Sequence, residues 1–137
     1  MKNRFRQISV NAFALIAIAT GAVAEGSATR TLVEALEDES ITNAHALWDL
    51  AELGYLEVES ARHLADFLGD RGFEIEMGIA GIPTAFVATA GRGQPVIGIL
   101  AEFDALPGLS QAAVPFRKAV VEDAPGQACG HHLFGAG

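Results

Sequence analysis

The sequence predicts an α/β layered domain, and three observations carry that prediction. A helical apolar period runs through residues 29–71. It gives way to strict alternation from Phe73 to Ile79. A nearly all-apolar run then covers Val96 to Ala101. Helices followed by strands with a covered central member fit helices packed on a sheet better than a bundle or a sandwich.

Thr29 to Glu39 predicts the first helix, with Leu32, Val33 and Leu36 on one side and acids at 34, 37, 38 and 39. Thr42 or Asn43 predicts the cap of the next, which would bury Ala44, Leu47, Trp48 and Ala51. Val58 to Arg71 is the strongest helix. Its apolar positions 58, 61, 64, 65 and 68 follow the 3.6-residue period, and Gly72 supplies the stop. Phe73, Ile75, Met77 and Ile79 alternate with Glu74, Glu76 and Gly78, the pattern of a half-buried strand. Thr84 to Ala90 predicts a second strand, and residues 91–95 a turn. Val96 to Ala101 reads as a strand covered on both faces. Asp104 to Ala128 shows no period, so it reads either as a long functional loop or as an element whose pattern is hidden, with Phe116 to Val121 able to form a short helix within it. His132 begins a further apolar run.

The first 24 residues read as a secretory address. Lys2, Arg4 and Arg6 precede an apolar stretch from Ala12 to Ala19, and Ala22-Val23-Ala24 is a small-x-small cleavage site before Glu25. The apolar core is too short to cross about 30 Å of hydrocarbon. Without twin arginines, the general export route is expected, with a periplasmic or secreted mature chain. From Glu25 onward there are six basic and seventeen acidic residues, a formal charge of −11. Nucleic acid and anionic membrane both demand a positive footprint, so neither is an expected partner after cleavage. One cysteine excludes an intrachain disulfide framework.

Two clusters carry chemistry. Glu102 and Asp104 follow the apolar run, and carboxylates two residues apart face the same side of an extended chain. The carboxyl ends of strands in open α/β sheets are where ligands bind. Cys129-Gly130-His131-His132 offers thiolate and imidazole, donors that suit zinc. Set together, the clusters suggest a divalent-ion site able to generate hydroxide and polarise a carbonyl. His45 and His63 have no ligand-like companions and read as ordinary helix histidines.

Trp48 to Gly54 with Glu57 and Glu59, Gly81 to Ala88, Gly98 to Gln111, and Cys129-Gly130-His131 together resemble the M20-family metallopeptidases and amidohydrolases. They are most similar to the p-aminobenzoyl-glutamate hydrolase branch. The resemblance implies a zinc-peptidase α/β domain with an inserted dimerisation domain, one or two ions of Zn2+ or Mn2+, a glutamate general base and amide-bond hydrolysis. By position it makes Cys129 and His131 metal ligands and Asp104 the aspartate that supports and orients the metal. Glu102 stands where other branches hold a histidine ligand, and is expected to support the site rather than ligate. His132 stands where relatives carry Asp or Asn, and is expected to be a bystander.

The remaining ligands and the general base of that pattern would lie beyond Gly137. The expectation is therefore residues 25–137 as the N-terminal portion of an exported amidohydrolase acting on an N-acyl or N-aroyl amino acid, truncated before the dimerisation domain. The isolated chain is expected to be inactive, and a homo-oligomer only with that domain. The alternative is a short exported protein that binds metal or a partner without catalysis.

Overall fold

The computed structural model describes residues 26–137, so the expected secretory address at 1–24 lies outside the described residues. The described residues divide into two units, 26–38 and 39–137. In the first, residues 26–35 are helical and position 36 is a turn. Leu32, Val33 and Leu36 are exposed there. No helix among the described residues is long and apolar enough to cross a membrane.

The second unit holds nearly all of the regular structure. Helix α1 spans Glu37–Leu50. The expected cap at Thr42 or Asn43 is corrected: both lie inside α1. Asn43 is buried, and its side-chain oxygen lies 2.9 Å from His63 Nε2, so the group that could have capped a helix joins two helices instead. His63 is thereby satisfied within the fold. Leu47 and Ala44 enter the core as expected, while Trp48 and Ala51 are half-buried.

Helix α2, Val58–Gly69, packs Ala61, Leu64 and Ala65 inward, as the period requires. It stops two residues short of the expected Arg71, and a turn at 70–72 ends on Gly72 in the left-handed region at φ +87°. Strands β1 (Glu74–Met77) and β2 (Phe86–Thr89) pair antiparallel, with Glu74 opposite Thr89 and Met77 opposite Phe86. Both alternating segments thus form strands, slightly shorter than expected, and α2 packs on both. A short 3-10 turn at Ile79–Gly81 begins their connection.

Val96 to Ala101 departs from expectation. The segment forms no strand, and Val96, Ile97, Ile99 and Leu100 are 77%, 82%, 92% and 78% exposed. Such a run needs cover on both faces and hydrogen-bonding neighbours on both sides, and the described residues supply neither. The sheet therefore has two strands rather than three with a buried centre. Helices with a small sheet remain compatible with the α/β class. Residues 104–128 are a loop rather than a hidden element, and 116–121 forms bends rather than a helix. Gln111 holds that stretch open, its side chain donating to the Phe116 carbonyl and accepting from Lys118 N–H. Helix α3, His131–Ala136, closes the described chain.

Candidate active site

The loop between the two clusters is pinned at its base. Leu106 and Gly126 exchange both main-chain hydrogen bonds at 3.0 Å. Gly126 has to be glycine, because a Cβ there would lie 2.0 Å from the Leu109 carbonyl oxygen. Below this neck, Asp104 and His131 meet although they are 27 positions apart.

His131 heads α3. Gly130 before it sits at φ +91°, a conformation that favours glycine and turns the chain from the Cys129 loop into the helix. The imidazole Nδ1 donates to Asp104 Oδ1 at 2.7 Å, and Nε2 lies 3.0 Å from Glu102 Oε2. The side chains are partly enclosed, His131 at 21% exposure and Asp104 at 32%, with Glu102 more open at 50%. The expected same-side placement of Glu102 and Asp104 therefore holds, since both reach one imidazole. Cys129 is a free, exposed thiol on the turn just before.

His132 lies apart from this cluster. It is buried, meets the Trp48 ring edge-on at a centroid distance of 5.1 Å, and donates its main-chain N–H to Gln127. Burial, together with electrostatic repulsion between the two imidazoles of His132 and His45, pushes its imidazole below the usual histidine range.

Several supporting residues carry no motif signal. Gln127 is buried, and its amide donates to the carbonyls of Leu47 and Phe103 while accepting from His132, so one side chain gathers α1, the carboxylate segment and α3. Glu52 accepts from Glu59 N–H at 3.1 Å and from Ser60 N–H and Oγ–H, both at 2.7 Å. Burial tends to raise its carboxyl, but the bonds from Ser60, Glu59 and Val58 outweigh that and hold it below the usual glutamate range. Glu57, also buried, accepts from Thr84 Oγ–H at 2.8 Å. Glu52 and Glu57 belong to the stretch that carries the family resemblance, which was the one signal available for them.

The donor chemistry suits a divalent ion in part. Thiolate, imidazole and carboxylate are all present, and Asp104 holds Nδ1, so Nε2, which here faces Glu102 Oε2 at 3.0 Å, is the nitrogen a metal would take. A carboxylate behind a ligating imidazole is the usual orienting arrangement. No group of three or more His, Cys, Asp or Glu that could hold a metal ion occurs among the described residues.

No protein-family model matches the chain. Direct comparison with curated proteins does find a hydrolase relative. Over 93 residues, 67% of its length, it is 43% identical to a subunit of the p-aminobenzoyl-glutamate hydrolase of Escherichia coli (strain K12). The resemblance carried by the motifs is thus borne out in that the chain is similar to this hydrolase subunit. It spans about a fifth, 19%, of that relative's length.

Proposed function

We propose that residues 25–137 supply the first part of an exported, metal-dependent amidohydrolase that cleaves the amide bond of an N-acyl or N-aroyl amino acid, such as a p-aminobenzoyl-glutamate-like compound. The observation that carries this reading is the Asp104–His131–Glu102 contact, formed at the residues that carry the family resemblance. His131 Nε2 and the Cys129 thiolate would be ligands for Zn2+ or Mn2+, and Asp104 would fix the imidazole's tautomer and direction. Such an ion, when bound, supplies a hydroxide near neutral pH and polarises the scissile carbonyl. Glu102 would yield Nε2 to the ion and remain beside it. The catalytic domain would be of the zinc-peptidase kind, with ligands and general base completed by sequence beyond Gly137, and dimerisation would belong to that sequence as well.

Zinc titration by calorimetry tests the ligand set. Cys129→Ser and His131→Ala should each lower affinity at least about tenfold, given that even outer-shell partners typically cost 10–100-fold. Equal affinity in either variant removes that residue as a ligand. Hydrolysis of p-aminobenzoyl-glutamate by the longer gene product supports the substrate class. Metal binding by a mature 25–137 product made as such in its source, without hydrolysis, would overturn it in favour of a non-catalytic exported metal binder.

A further inference from the structure

We propose that Glu52 is a positioning residue for the Asp104–His131 pair, tying the segment that carries Asp104 to the N-terminus of α2. The two ends of Glu52 hold different parts of the fold. Its carboxylate takes three hydrogen bonds at the start of α2, from Glu59 N–H, Ser60 N–H and Ser60 Oγ–H. Its main-chain carbonyl accepts from Ala105 N–H at 2.7 Å, and Leu53 beside it forms a parallel bridge with Ala105. Ala105 is buried and directly follows Asp104. A shift of the 52–53 turn is therefore passed to Asp104 through one peptide unit.

The same turn touches the carboxylate side as well. Asp104 Oδ2 and Glu57 Oε1 each lie 3.8 Å from the point a Cβ would occupy on Gly54. Glu57 is held in turn by Thr84, at the start of the segment leading into β2. One oxygen of Asp104 thus faces His131 and the other faces the turn that Glu52 fixes. A charged acceptor at a helix N-terminus is a strong anchor, because unpaired N–H donors and the helix dipole act in the same direction. On its other side the Asp104 segment is held by the Gln127 amide, which donates to the Phe103 carbonyl at 3.1 Å, while residues 96–101 before it form no strand.

The inference takes the importance of Asp104 from the proposed hydrolase site, but its test needs neither metal nor substrate. The full chain, with 15N-labelled histidine and no added metal, is examined by NMR for the His131 ring N–H held by Asp104, assigned with His131→Gln. Glu52→Ala should abolish that protected signal while helical circular dichroism persists. Glu52→Gln, which keeps an acceptor oxygen on the same stem, should restore most of it. A folded Glu52→Ala chain with faster exchange at Glu59 and Ser60 but an unchanged His131 signal would show Glu52 to be a helix cap alone, and would overturn the proposal. Where Glu52→Ala does not fold, Ser60→Ala decides: a weakened His131 signal supports the tie, and an unchanged one overturns it. Failure to bind zinc would count against the metal site and leave this result standing.

Discussion

Glu52 shows how one side chain records its surroundings in its proton affinity. Its carboxyl titrates below the usual glutamate range because three hydrogen-bond donors favour the charged form. A group whose native pKa is depressed contributes its full stabilisation above the unfolded value, about 4.3 for glutamate, and loses it as pH falls through the native value. Glu52→Gln keeps the acceptor oxygen and loses only the charge at a solvent-screened site, so it should cost no more than about 0.5–1 kcal/mol at pH 7. That difference should shrink to near zero as urea unfolding is repeated at successively lower pH below about 4.3. A difference independent of pH would mean that the carboxylate charge has no part in the capping. Little of this was legible in the sequence. A glutamate six residues ahead of a helix carries no pattern that assigns it to the helix end, and only the resemblance set Glu52 apart. Asp104 and His131 were legible as chemistry, but their contact depends on the path of the chain between them.

Among the elements, α2 and the β1–β2 pair followed their periods closely, because side-chain spacing within a single element is local information. The entry of α1 did not, since Asn43 is as suited to a helix interface as to a cap and its role is fixed by His63, twenty residues away. Leu47 is the central packing residue of α1, fully buried and close enough that a Cβ on Gly135 of α3 would lie 3.5 Å from its Cδ1. Leu47→Ala should destabilise the fold by about 2–5 kcal/mol in chemical denaturation, the range for emptying a buried leucine site. A loss below about 1 kcal/mol would show that α1 and α3 close over the cavity. The 96–101 run marks the limit of local reading. Its composition announces burial on both faces, but no local pattern names the neighbours that would provide it.

For the whole molecule, that run sets solution behaviour. Four large apolar side chains stand exposed in one short segment without strand neighbours among the described residues, and such a patch invites pairing with another chain. The 137-residue chain should self-associate with rising concentration in sedimentation velocity. Ile99→Lys should suppress association without altering circular dichroism, because position 99 is 92% exposed. A wild-type chain that stays monomeric would show that the run does not act as a pairing patch in solution. The neck at Leu106 and Gly126 has an effect on the same scale. It short-circuits the excursion between the two halves of the site, so that Asp104 and His131, 27 positions apart along the chain, are joined through the neck by a path of fewer than about ten links. Each halving of a flexible span recovers about 0.6 kcal/mol of closure entropy. The neck therefore makes the meeting of carboxylate and imidazole about 1 kcal/mol easier, and it leaves the outer loop free to change in length without disturbing them.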